Sequence, residues 1–395
     1  MPGPTPNVIP LNRPDIREED IELVVETLRT GTLSMGARLL EFEQLVAERT
    51  RRPYGIGVAS GAMAIEIALR AVGAGPGDEV LVPAFGASAM AHSVLNVGAR
   101  PVFVDVDPLS LNMDPEEAAR RIGKRTKAML AALTFGNPAR LPELIALCSR
   151  MEIPMVENAA EALGTTFGPD NAGRFGRLAA LGFWSNRQVT TGEGGMIVTH
   201  DDTLAAACRA LRHQGRVDRM SFAGQPRDIG AILEHVELGG YDARLPEAEA
   251  ALGCAQVRRL DQTVTRRQEL ATAYLRRLAA NPDIVLPTVP DGAGVSWANF
   301  VIRLSTRFTA DDRDAVIGVL HRQDIGAANY YPAASLLPQV RTLAGTEPGQ
   351  FPVAESAAAR AIALPFFNTM TEDDVDTVCG VLEVALARAG GAARG

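Results

Sequence analysis

Apolar residues follow two patterns along the first two-thirds of the chain. Helical spacing, with apolar side chains returning every three or four residues, occurs at 15–30 and 37–50. Short apolar runs, such as 54–58, 101–106 and 154–157, then alternate with further helical stretches. This alternation is typical of a mostly parallel sheet covered by helices. We therefore predict an α/β fold with a doubly wound, mostly parallel sheet, whose ligand groups lie at the carboxyl ends of its strands.

The alternation changes near residues 255–262. An Arg-rich helical stretch at 260–280 follows, then a strand pattern at 297–304 and two further helical patterns. We predict a loose N-terminal arm at 1–14, a large domain at 15–255 and a smaller C-terminal α+β domain at 256–395.

Composition narrows the class of function. The 395-residue chain carries a net charge of −8, which argues against a nucleic-acid or anionic-membrane surface. No apolar run approaches the roughly 18 residues of a membrane span. The start lacks the pattern of a secretory signal, and the four cysteines are scattered, so we expect a cytoplasmic protein. The five histidines show no metal-ligand spacing, and we expect no metal.

Residues 181–195 read Leu-Gly-Phe-Trp-Ser-Asn-Arg-Gln-Val-Thr-Thr-Gly-Glu-Gly-Gly. This stretch resembles the active-site loop of the DegT/DnrJ/StrS sugar aminotransferases, which are fold type I pyridoxal-phosphate (PLP) enzymes. Further family phrases occur in order at 60–61, 77–80, 98–105 and 136–138. The resemblance covers nearly the whole chain and implies the aspartate-aminotransferase fold, in a homodimer with active sites at the subunit interface.

The resemblance breaks at Arg187. In the family, a lysine at this position forms an imine with PLP, which requires an amine that can lose its proton. A guanidinium stays protonated and cannot form that imine. The chain has only two lysines, Lys124 and Lys127, and both match a family segment outside the active site.

Other cofactor positions of the family also differ here. The carboxylate that keeps the pyridine ring protonated is replaced by Asn158, and the glutamine that faces the phenolic oxygen is replaced by Glu161. Seven positions differ in all: Ala62, Ala87, Asn158, Glu161, Gly182, Arg187 and Asp242. We therefore predict that the chain has lost the binding of both PLP and pyridoxamine phosphate (PMP), and that it has no cofactor.

The favoured hypothesis is a PLP-independent enzyme of sugar or specialised-metabolite biosynthesis acting on a small molecule. Arg187, Glu161 and Asp242 are the candidate catalytic residues for cyclisation, elimination or hydrolysis. The candidate substrate-binding residues are Asn158, Trp184, Tyr331, Ser60, Gly61, Phe85 (a possible replacement for the family's ring-stacking aromatic residue) and Ser88.

Three alternatives stay open. Arg187 and Glu161 could form an ion pair that only fills the space of the cofactor. The protein could be a non-catalytic partner of an active paralogue. It could also be a PMP-dependent nucleotide-sugar aminotransferase or dehydratase, since the family's lysine-less dehydratases use PMP without an imine.

Overall fold

The computed structural model describes residues 8–218, 233–235 and 239–392. The helices in these ranges are α1 (Glu18–Arg29), α2 (Ala37–Arg49), α3 (Gly61–Ala71), α4 (Ala89–Asn96), α5 (Pro115–Arg121), α6 (Leu141–Met151), α7 (Asp202–Arg212), α8 (Glu247–Arg258), α9 (Leu260–Leu278), α10 (Ala310–Arg322), α11 (Pro338–Ala344), α12 (Pro352–Arg360) and α13 (Glu372–Ala392). Part of the predicted arm, residues 1–7, lies outside the described residues.

The strands are β1 (Tyr54–Val58), β2 (Glu79–Pro83), β3 (Arg100–Val104), β4 (Thr126–Ala132), β5 (Met155–Asn158), β6 (Thr166–Phe167), β7 (Asp170–Asn171), β8 (Leu178–Gly182), β9 (Gly195–Thr199), β10 (Arg216–Asp218), β11 (Leu233–His235), β12 (Ile284–Val285), β13 (Ala293–Gly294), β14 (Phe300–Leu304) and β15 (Ala361–Leu364).

A seven-stranded sheet with the order β1-β9-β8-β5-β4-β2-β3 forms the centre of the fold. Only β9 runs against its neighbours, and the remaining pairs are parallel. Because side chains alternate along a strand, Val80 and Val82 pack into one core while Leu81 packs into another. These two cores cover both faces of the sheet, which confirms the predicted α/β architecture.

A third core lies in the C-terminal part of the chain. It is built from α9, α10 and α13 together with a small antiparallel sheet of the order β12-β14-β15. The ring of Tyr274 on α9 stacks on Phe300 at 4.7 Å between centroids, which ties this helix to the small sheet. The division into domains at residue 255 stays a prediction. Among the described helices, none is long and apolar enough to cross a membrane.

Candidate active site

The candidate site lies at one edge of the large sheet. The strands β1, β4, β5 and β8 all run in one direction, so their carboxyl ends meet at that edge. Ser60 follows β1, Phe135 follows β4, Asn158 ends β5, and the loop that carries Arg187 follows β8. This topology brings together residues that lie far apart in the sequence.

Glu161 is the centre of the site. Its carboxylate accepts hydrogen bonds from the backbone N–H of Phe135 at 2.9 Å, from the Asn299 amide at 3.2 Å and from the Tyr331 hydroxyl. Arg187 is the fourth donor, at 3.2 Å from Oε1. Four donors on one buried carboxylate hold it in a fixed orientation.

Arg187 is buried beside Glu161. Only 12% of its side chain and 11% of the Glu161 side chain are exposed. Burial has the largest single effect and opposes the positive charge of Arg187, but Glu161 together with Tyr331 and Tyr330 outweighs it, so the pKa of Arg187 is raised. The guanidinium is therefore always charged, and its buried Nε has no hydrogen-bond partner among the described residues.

A second buried cation, Arg267 on α9, lies near Arg187. It donates to the carbonyls of Trp297 and Ala298 at 2.9 and 3.0 Å. Burial, together with the nearby charge of Arg187, lowers the pKa of Arg267 to about 10.

Tyr331 joins Glu161 to an aromatic cluster. Its ring stacks on Phe135 at 5.6 Å and on Tyr330 at 4.8 Å between centroids. Burial raises the pKa of the Tyr331 phenol well above its ordinary value, and the nearby charge of Glu161 also raises it. The hydroxyl is therefore neutral and donates a hydrogen bond to Glu161.

The N-terminus of α3 lies at the same edge of the sheet. Ser60 caps the helix by accepting from the N–H of Met63 at 3.1 Å. The first N–H groups of a helix have no acceptor within it, so they favour a phosphate or another anion. A Cβ on Gly61 would lie 3.1 Å from the Cα of Gly182, so glycine permits the close approach of α3 to β8.

A surface of small residues continues from α3 to Asn158. A Cβ on Gly182 would lie 3.2 Å from that of Ala160, and the N–H of Ala160 donates to Asn158 Oδ1 at 3.2 Å. Gly61, Gly182, Ala160 and Asn158 thus follow one another in direct contact. The anion position at the helix terminus is joined in this way to an amide side chain that can donate a hydrogen bond.

Four predicted site residues lie elsewhere on this edge. Phe85 is fully buried and packs against Phe135 and Tyr331 at 6.1 and 6.5 Å between centroids.

Trp184 is 48% exposed, and its carbonyl accepts from the N–H of Arg187. Ser88 is exposed just before α4. Asp242 is exposed and pairs with Arg244 at 2.5 Å, and no bond joins it to Arg187 or Glu161 among the described contacts.

Both lysines lie away from this site. Lys127 is at the amino end of β4, the opposite end of the strand from Phe135, and its side chain approaches Gly73. Lys124 is exposed shortly before that strand. No amine of a lysine is therefore near Arg187 or Asn158. No group of three or more His, Cys, Asp or Glu side chains in the described ranges could hold a metal ion.

Sequence reasoning missed two donors of the site. Asn299 lies 138 residues from Glu161 in the chain, and Phe135 contributes only its backbone N–H. Gln188, which donates to the carbonyl of Glu161 and to Ser296 at 2.7 Å, was also not identified. The one sequence signal that could have identified Gln188 was its position directly after Arg187.

Comparison with known proteins gives whole-length matches. The profile of the DegT/DnrJ/EryC1/StrS aminotransferase family matches residues 14–383. GDP-perosamine synthase from Caulobacter vibrioides is 31% identical over 380 residues, covering 94% of this chain and 97% of the relative. The crystal structure of DesV from S. venezuelae in complex with a ketimine intermediate is 30% identical, with a TM-score of 0.86, covering 96% of this chain and 99% of that chain. The aminotransferase TlmJ from Streptoalloteichus hindustanus is 28% identical with a TM-score of 0.86, covering 96% and 99%.

These matches overturn two predictions made from the sequence. The prediction that the chain has lost both PLP and PMP is wrong, and so is the prediction of a PLP-independent enzyme, because the whole chain matches aminotransferases. The physical reason is that a guanidinium at position 187 prevents only a covalent link. The helix terminus and the amide needed for a non-covalent contact are still present. The matches do not show that a lysine was lost at this position.

Proposed function

Because this chain belongs to the DegT/DnrJ/EryC1/StrS aminotransferase family, we propose that it is a vitamin B6-dependent enzyme of nucleotide-sugar metabolism. The proposed cofactor is PMP, held without a covalent bond, and the proposed reaction is amination or dehydration of a nucleotide-linked keto-sugar. The observation that carries this proposal is the continuous surface from the N-terminus of α3 to Asn158.

The residues present fit a non-covalently bound cofactor. Ser60 and the first N–H groups of α3 would hold its phosphate. Ala160 and Gly182 are half-buried and carry at most a methyl group, so a flat ring could lie over them, and the Asn158 amide would donate to the ring nitrogen. An amide supplies no charge, so it would hold the nitrogen in its neutral form.

The same residues do not fit a covalent link to the chain. Arg187 cannot lose its proton at physiological pH, and both lysines lie away from the site. The amine form of the cofactor needs no such link. Bound PMP would supply the amino group and the ring that withdraws electrons during the reaction.

Charge stabilisation and proton transfer in the reaction would come from Glu161, Arg187 and Tyr331. Arg187 would stabilise an anionic oxygen on the ligand. The Tyr331 hydroxyl would hold a proton shared with Glu161 and offer it to a leaving oxygen. Burial of all three keeps water from these groups and strengthens each interaction.

We also propose a homodimer, in the cytoplasm, with part of each site supplied by the partner subunit. Helix α1 supports this because Ile21, Val25 and Leu28 are exposed on one of its faces. Such an apolar stripe on a helix is typical of a surface covered in an assembly. Asp242 and Trp184, both exposed, would then face a subunit boundary.

The experiment is a single-turnover assay on purified protein loaded with PMP. A panel of nucleotide-linked keto-sugars is added, and the near-ultraviolet absorbance of the bound ring is followed together with the sugar product. One sugar should convert the bound amine, or lose a hydroxyl, in a stoichiometric reaction. If PMP binds but no sugar in the panel reacts, the proposed substrate class is wrong.

A further inference from the structure

Two buried asparagines, Asn299 and Asn186, extend the hydrogen bonds of Glu161 further into the protein. The amide nitrogen of Asn299 donates to Glu161 Oε1 at 3.2 Å. The amide oxygen of Asn299 accepts in turn from the amide nitrogen of Asn186 at 3.4 Å. Only 7% of Asn299 and 3% of Asn186 are exposed, so water does not compete for these bonds. Among the described contacts, the side chain of Asn186 has no bond to Glu161 itself, and the bonded path between them runs through Asn299.

The carboxylate of Glu161 sets the direction of both amides. Because a carboxylate only accepts hydrogen bonds, Asn299 directs its nitrogen at Glu161 and its oxygen at Asn186. Asn186 must then direct its own nitrogen at Asn299. The side chain of Asn186 is also hydrogen-bonded to that of Tyr330, whereas its buried amide oxygen has no partner among the described residues. Both bonds of Asn186 therefore come from its nitrogen, and turning the amide around would break both.

Three donors meet at the same oxygen of Glu161, and they come from Arg187, Tyr331 and Asn299. Arg187 supplies a charge, and the Tyr331 hydroxyl supplies a proton that can be transferred. The Asn299 amide supplies neither of these, so its contribution at this oxygen is geometric. An amide can turn by about 180° around its last side-chain bond, which would direct the Asn299 oxygen at Glu161. The bond from Asn186 opposes that turn.

We propose that Asn186 is a positioning residue, which holds the Glu161 carboxylate in place through Asn299. The oxygen held in this way also accepts from the Tyr331 hydroxyl, whose proton takes part in the proposed reaction, so this role rests on the proposed function. A small displacement of a reacting group slows a reaction strongly. Asn186 itself is almost fully buried and would not touch the sugar. It therefore affects the rate of the reaction rather than the binding of the substrate.

The experiment is a double-mutant cycle in single-turnover assays of the PMP-loaded protein with a reactive keto-sugar. Asn186→Leu, which has the same branched shape, should slow the reaction at saturating sugar by about tenfold. The sugar concentration that gives half the maximal rate should change by less than about twofold. Asn299→Leu should slow the reaction at least as much. The double variant should be no slower than Asn299→Leu alone, because Asn186 acts through Asn299. An unchanged rate in Asn186→Leu, or a double variant slowed by the product of the two single effects, would overturn the proposal.

Gln256→Leu is the matched control. Gln256 is a buried amide that donates at 3.0 Å to Asp20, a buried carboxylate that pairs with Arg259. An amide, a carboxylate and an arginine thus meet there as they do at Glu161, but outside the candidate site. Gln256→Leu should leave the single-turnover rate within about twofold of that of the unaltered protein. Equal slowing in Gln256→Leu and Asn186→Leu would show a general effect of destabilisation and would overturn the positioning role.

Urea unfolding tests the bond between the two asparagines without any substrate. The effects of Asn186→Leu and Asn299→Leu on the unfolding equilibrium constant should differ from simple multiplication by about twofold or more, because the two amides are bonded. Simple multiplication would overturn the path through Asn299. If no sugar reacts with the unaltered protein, the proposed function is wrong, and the unfolding cycle still decides whether the amides are coupled. If a sugar reacts at the same rate in Asn186→Leu, only the positioning role is wrong.

Discussion

The guanidinium of Arg187 lies 3.2 Å from Glu161 Oε1, and about nine-tenths of both side chains is buried. Neither charge would be tolerated there alone, because an isolated ion inside a protein is strongly destabilising. The pair also changes what the site can hold. The guanidinium of Arg187 is a fixed cation that can donate hydrogen bonds to an anionic ligand but cannot form an imine with one.

The first prediction concerns the stability of this pair. Glu161→Leu removes the carboxylate that pairs with Arg187 and should lower the free energy of unfolding by about 3 kcal/mol or more. Arg187→Leu should cost less, because Glu161 keeps its bonds from Phe135, Asn299 and Tyr331. Urea unfolding measures both. The double variant should lose less than the sum of the two, and simple additivity within about 0.5 kcal/mol would contradict the coupling.

The second prediction distinguishes the roles of the two stacked tyrosines, Tyr330 and Tyr331, in turnover. Tyr331→Phe removes the proton that is shared with Glu161 and should lower turnover of the keto-sugar by about 10²-fold or more. Tyr330→Phe is the control, because Tyr330 stacks on Tyr331 without a bond to Glu161. PMP affinity should be similar in both variants. Equal turnover in the two would remove Tyr331 from the proposed chemistry.

The third prediction concerns the cap of α3. Ser60→Ala should lower the free energy of unfolding by about 1 kcal/mol, because a helix cap is lost. The substitution should also weaken the binding of PMP more than the binding of pyridoxamine, because pyridoxamine has no phosphate. Thr309→Ala is the matched control, since it removes the cap of α10 far from the sheet edge. A similar loss of PMP affinity in both variants would show a general effect of destabilisation.

The fourth prediction is a pH dependence at Glu79. This carboxylate lies 2.8 Å from Arg100 and 2.7 Å from Arg125, and the Arg100 hydrogen bond lowers its pKa from the ordinary 4.5. The folded state therefore binds fewer protons, so the stabilisation is present above 4.5 and is lost as the pH falls through the folded pKa.

Glu79→Gln tests that dependence by unfolding at several pH values. At neutral pH the substitution should cost about 1 kcal/mol, a modest value because both arginines are largely exposed. The difference from the unaltered protein should shrink in acid. A constant difference across the range would mean that the carboxylate contributes by packing alone.

The fold could be predicted because the apolar residues of most helices and strands recur at a clear interval along the sequence. Strand β1 and helix α2 lie where the apolar pattern placed them. Helix α8 gave no such pattern, since it is buried on several sides, with Ala250, Gly253 and Cys254 all inaccessible. A helix surrounded by protein has no polar face, so its sequence lacks the amphipathic period.

The candidate site could be predicted only in part. Arg187, Glu161 and Asn158 were identified because they lie in two phrases with a recognisable order. Asn299 could not be found in this way, because its contact with Glu161 spans 138 residues and has no local signal. The prediction about the cofactor failed for another reason. The residue type at position 187 shows that the imine with PLP cannot form. Whether the cofactor can be held without a covalent bond depends instead on backbone N–H groups at helix termini and on small residues.

Native and denaturing mass spectrometry of the protein loaded with PMP tests the central claim most directly. The account predicts one PMP per chain in the native spectrum, complete release on denaturation, and no gain in mass after treatment with borohydride. A chain without bound PMP at saturating concentration, or one that keeps a covalently attached cofactor after denaturation, would contradict it.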